Sequence, residues 1–134
     1  MGAWGRRNFE NDSAMDFVGE FLESPSEVAI SASLGFVIDA RADEEYIEVD
    51  EASAALAAAE IVAAIIGRAA SDLPEELSAA IEKMGFEANQ KIIQQARKAV
   101  SVIIRESELQ ELWAEGGEPN DWQQVQHELL TRLG

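Results

Sequence analysis

The chain has 134 residues, with 26 Asp and Glu against 10 Lys and Arg, a formal net charge of −16, one histidine and no cysteine. That length suits one domain with a core of its own. The charge opposes nucleic-acid phosphates and anionic membrane surfaces, and the missing thiol removes disulfides, thiolate metal sites and cysteine nucleophiles.

The start, MGAWGRRNFEND, lacks the apolar run of a secretory leader, so the expected address is the cytoplasm. Gly2 suits myristoylation poorly, because Arg6 stands where a hydroxyl residue is wanted. Asn11, Asp12 and Ser13 offer N-cap side chains, and Ala14, Phe17, Val18, Phe21 and Leu22 then recur at helical spacing. This first helix should stop before Ser24, where Ser24-Pro25-Ser26-Glu27 reads as a capping box opening a second helix with Ile30, Leu34, Val37 and Ile38 inward. The acidic run ADEEYIEVD from Ala42 reads as a loop.

Asp50 is the expected cap of a third helix, with Val49 and Ala54 in staple positions and Gly67 near its end. Between Ala54 and Ile66 every side chain is apolar except Glu60. A helix apolar on nearly all sides belongs at the centre of a bundle. Its apolar stretch, interrupted by Glu60, falls short of the roughly 20 residues of a membrane span.

Asp72-Leu73-Pro74 opens a fourth helix with Leu77, Ala80, Ile81 and Met84 on one face and Gly85 as its C-cap. The fifth helix carries Phe86, Asn89, Ile93, Ala96, Val100 and Ile103 on one face and the basic Lys91, Arg97, Lys98 and Arg105. Ser107 can cap a short sixth helix through Trp113, ending at Gly116-Gly117. Asn120 or Asp121 caps a last one with Trp122, Val125, Leu129, Leu130 and Leu133 inward. Short connections between such helices favour antiparallel neighbours. The expected fold is therefore an all-α bundle of about six or seven helices in one domain spanning 1–134, arranged around the Ala-rich helix at about 51–67.

Glu60 is the residue that demands an explanation. An unpaired buried carboxylate costs several kcal/mol or takes up a proton. Candidate partners are Arg41, Arg97, Arg105, the Trp4 indole and backbone N–H groups of the N-terminal loop. The structural reading makes Glu60 an anchor for a docked loop; the functional one makes it a base or metal ligand.

Other constellations are thin. Asp12, Asp16 and Glu20 recur every four residues, a stripe that a hard cation could bridge but that also suits a solvated helix face. The lone His127 lacks the Glu-x-x-His partners of a di-iron bundle. Glu108/Glu111 and Glu118/Asp121 match the letters of an all-α pyrophosphatase site, but Pro119 breaks the second pair. No Gly-rich phosphate loop or nucleophile elbow is present.

The opening GAWGRRNFENDSAMDFVGEF, with YIEVDEASAALAAAEIVAAIIG, Leu73-Pro74 and SELQELWAE, resembles the bacterial family of unknown function DUF4259. Gly2, Trp4, Gly5, Phe9, Asn11, Asp12, Asp16, Ala58, Glu60, Gly67, Glu111, Leu112 and Trp113 carry the likeness. Arg6-Arg7 and Phe17 depart from it, where a smaller residue and tryptophan are usual. The resemblance implies a short helical protein of no established activity. It marks Trp4, Gly5, Asn11, Asp12, Glu60 and Trp113 as motif residues and suggests that their three segments converge.

The expectation is an acidic interaction module, immunity-like or regulatory, that binds a basic protein and needs no organic cofactor. The alternative is a metal-dependent hydrolase with a divalent cation held among Asp12, Asp16, Glu60 and Glu111.

Overall fold

The computed structural model describes residues 7–85, 87–115 and 119–134. Seven helices are found among them: α1 (Asp12–Glu23), α2 (Glu27–Ala42), α3 (Val49–Ile65), α4 (Glu75–Met84), α5 (Gln90–Arg105), α6 (Glu108–Glu115) and α7 (Pro119–Leu133). No strand occurs among the described residues.

Local chemistry sets most of the helix ends. Asn11 caps α1, its side chain accepting from the Ala14 N–H at 2.8 Å. Ser24 closes the same helix with its own N–H on the Glu20 carbonyl. It is therefore not the residue that opens α2. Ser26 caps α2 instead, accepting from Ala29 N–H at 3.1 Å, and Pro25 lies in the connection rather than at the first helical position. Asn89 likewise caps α5 through the Ile92 N–H at 3.0 Å, so it is a cap and not a member of the buried face. Phe86 lies outside the described residues. Gly85 adopts φ +60° at the end of α4 and Gly67 φ +86° just beyond α3, left-handed conformations that cost a side chain strain.

The start of α3 departs from expectation. Asp50 sits inside the first turn, where it accepts a hydrogen bond from the Ser13 hydroxyl at 2.8 Å, and the N-cap position is held by Glu48 with no side-chain cap bond. The cap comes from elsewhere in the chain. Glu108 Oε1, at the start of α6, accepts from the Val49 N–H at 2.8 Å, while the Glu108 N–H donates to the Ile47 carbonyl at 2.9 Å. A side chain 59 positions away thus does what Asp50 was expected to do.

Alanine content decides the architecture. α3 packs against each of the other six helices, and Ala52, Ser53 and every residue from 55 to 63 are buried. Ala55, Ala57, Ala58, Ala59 and Ala63 present only a methyl group, so neighbouring backbones come close on all sides. Leu56, Ile61 and Val62 fill the remaining space, each contributing about 1.5–3 kcal/mol by leaving water. Phe21, Leu34, Leu77, Ile103, Trp122 and Leu129 close around this rod. Among the described residues, no helix is long and apolar enough to cross a membrane.

Candidate functional site

Glu60 lies on the central rod with its side chain 3% exposed, and its charge is met from two directions. Arg132, in the last turn of α7, donates from one terminal nitrogen to Glu60 Oε1 at 2.9 Å and from the other to Oε2 at 3.2 Å. Asn8, ahead of α1, donates from Nδ2 to Oε2 at 2.8 Å. Both carboxylate oxygens are thereby occupied, which is the condition for a buried charge to be tolerated.

The remaining polar atoms of these partners are satisfied as well. Asn8 and Gln126, which is fully buried on α7, exchange amide hydrogen bonds at 2.8 and 3.1 Å. Arg132 Nε donates to Glu128 at 3.0 Å, one helical turn back. One terminal nitrogen of Arg132 also reaches the Arg68 carbonyl at 3.1 Å, and the Arg68 side chain returns a bond to the Arg132 carbonyl at 3.3 Å. Burial alone would pull the Arg132 pKa down. The hydrogen bond to Glu60 and the charges of Glu60 and Glu128 outweigh it, so the net shift is upward.

A second tie holds the chain start in place. Arg7 donates to Asp72 Oδ1 at 3.1 Å and to the Ser71 hydroxyl at 3.2 Å, in the turn before α4. The Asp72 hydrogen bond raises the Arg7 pKa against a smaller opposing effect of burial. The Arg7 N–H is in turn held by Glu10 Oε1 at 3.1 Å. The segment before α1 is thus tied to α3, α7 and the α4 entrance by side chains. Within it the Asn8 amide side chain carries a bond to Glu60.

The arginines expected beside Glu60, namely Arg41, Arg97 and Arg105, are therefore corrected to Arg132. Arg97 donates to the Leu130 carbonyl and Arg41 pairs with Glu106 at 3.4 Å. Arg105 is exposed. Trp4 and Gly5 lie outside the described residues. Of the other motif residues, Asn11 caps α1, and Trp113 is half-buried against the core from α6. Asp12 and Asp16 are exposed on α1, and the exposed Glu111 accepts from the Tyr46 hydroxyl at 2.8 Å. α1 and α6 both pack on α3. Among the described residues, however, no group of three or more His, Asp or Glu side chains gathers closely enough to hold a metal ion. Asp12, Asp16, Glu60 and Glu111 do not form one site.

A family model, the domain of unknown function DUF4259, matches residues 2–125. The chain belongs to that family. No curated protein and no solved structure matches it. The matched span includes Asn8 and Glu60 but stops one residue short of Gln126. The two α7 partners of the clasp, Gln126 and Arg132, thus lie beyond the part of the chain that carries the DUF4259 pattern.

Proposed function

We propose that the protein is an interaction module of the immunity-like or regulatory kind, which binds a basic partner protein in the cytoplasm. The observation that supports this reading is how its acids are divided between inside and outside. Glu60, whose two oxygens are both engaged by Arg132 and Asn8 and whose side chain is only 3% exposed, is turned to an internal ion pair rather than to solvent, where a general base would meet its substrate. Asp12, Asp16, Glu20 and Glu23 lie exposed along α1, and the acids of the 43–45 turn are exposed as well. A field of this sign speeds encounter with a cationic surface and disfavours acidic competitors.

The test is a pull-down from the native host at increasing ionic strength. A basic protein retained at low salt and released as exposed ion pairs are screened supports the reading. An empty lane, or a partner that is neutral or indifferent to salt, counts against it. A fluorescent fusion checks the compartment.

A further inference from the structure

The face between α1 and α2 is unlike the rest of the surface. A groove of about 580 Å³ runs there, walled by Phe17 and Phe21 from α1 and by Val28 and Phe36 from α2. Val28 is 76% and Phe36 57% exposed, although each is a large apolar side chain. Scattered apolar residues on a surface mean little, but a rimmed apolar trough marks a contact site.

We propose that this groove receives a short amphipathic helix of the basic partner, with an Arg or Lys of that helix reaching Glu51; the proposal rests on the interaction reading above. Shape argues for a helix. Ala29, Ala32, Ser33 and Ala54 also line the groove, and such small side chains let another backbone approach closely. No strand edge exists among the described residues to template an extended peptide. Val28 to Phe36 spans about two helical turns, roughly 12 Å, matched by a segment with apolar side chains at i, i+4 and i+7.

Charge selects the occupant. Glu20 and Glu51 stand in the groove between the apolar walls. Glu51 Oε2 is buried and has no hydrogen-bond partner among the described residues. A guanidinium or ammonium group arriving over the apolar floor would supply a charge-assisted bond to it. A second copy is the poorer fit, because each copy carries a net charge of −16 and a two-fold contact would set these carboxylates against their own images.

The experiment places the photo-crosslinking residue p-benzoylphenylalanine at position 36 of the full chain in its native host and identifies the adduct by mass spectrometry. A segment of another protein with net positive charge and apolar residues at helical spacing is expected. An adduct only with a second copy, with a neutral or acidic segment or with lipid, or no adduct at all, overturns the proposal. The identified segment is then made as a peptide. Glu51→Gln should weaken its binding tenfold or more and Phe36→Asp should abolish it, while Glu75→Gln on α4 stays within about twofold. Losses of equal size in all three, or none in Glu51→Gln, overturn the groove. Glu51→Gln changes shape least and decides the matter if Phe36→Asp lowers the melting temperature. A salt-labile partner that never crosslinks through position 36 sinks the groove alone, whereas an empty pull-down removes the interaction reading with it.

Discussion

Arg132, in the last turn of α7, holds Glu60 on the central helix through two guanidinium nitrogens, across 72 positions of sequence. The pair is a fork against a carboxylate in a nearly dry setting, with side-chain exposures of 16% and 3%. Removing only the cation leaves a buried anion uncompensated. Arg132→Met should therefore cost about 3–5 kcal/mol in urea unfolding, and Arg132→Lys less, since it keeps the charge and loses the fork. The double variant Glu60→Leu with Arg132→Met should recover most of the loss, because an apolar pair leaves no orphaned charge. Single and double variants of equal stability would show that the pair carries no coupling.

The pH dependence follows from the raised Arg132 pKa. A cation whose folded pKa exceeds its unfolded one contributes in full below the unfolded value and loses that contribution only as pH rises through the folded value. For arginine both values lie far above neutrality. The stability difference between wild type and the charge-free double variant Glu60→Leu with Arg132→Met, which leaves no orphaned carboxylate to take up a proton, should then be the same at about pH 6 and about pH 9, as read from urea midpoints.

Asn8 is the residue through which the chain start joins this pair. Its amide donates to Glu60 and Gln126 and accepts from Gln126, so Asn8→Ala strands a buried amide and removes one donor from the carboxylate. Each stranded group costs about 1–3 kcal/mol. Asn8→Asp should be worse than Asn8→Ala, since it sets a second carboxylate against Glu60 where a donor is required. In both variants residues 7–11 should become the first site of limited proteolysis, ahead of the helices.

Glu108 offers a cleaner test of long-range capping. Its carboxylate accepts from the Val49 N–H and its own N–H binds the Ile47 carbonyl, so α6 closes the open end of α3. Glu108→Ala should cost about 0.5–2 kcal/mol, as for loss of an N-cap, and accelerate hydrogen exchange at the Val49 amide. Glu108→Gln keeps an acceptor oxygen and should lose much less. Exchange at Val49 that ignores both changes would remove the capping role.

What could be read in advance follows the range of the interaction. The helices, the central place of α3 and the caps at Asn11 and Ser107 rest on neighbours within a turn, and the spacing of their residues was enough to locate them. Glu60 also stood out, as one acid in an apolar rod. Its partners did not. Asn8 lies 52 positions away and Arg132 72, and nothing in the spacing of either residue marks it as turned inward. Gln126 carried a faint signal, since it lies one turn from Trp122 and Leu129 on the α7 face that is buried. A glutamine at an apolar position asks which amide or carboxylate it meets. The misplaced caps at Ser24 and Asp50 have the same origin: Ser24 was engaged by the preceding helix, and Glu108 reached α3 from beyond two intervening helices.

The rod itself yields the last prediction. Ala58 is fully buried on α3, which packs against α1, α2, α4, α5, α6 and α7, so no side of the helix opens to solvent at that level. A core packed at crystal-like density has no room for three extra carbon atoms there. Ala58→Leu adds apolar surface, which elsewhere would stabilise, yet here it should destabilise by about 1–3 kcal/mol or more through displaced neighbours. Ala54, half-buried beside the α1/α2 groove, is the internal control. Ala54→Leu can extend into that groove and should change stability by much less. Urea unfolding of the two variants decides the point, and equal losses would mean that α3 is not enclosed more tightly at Ala58 than at its grooved flank.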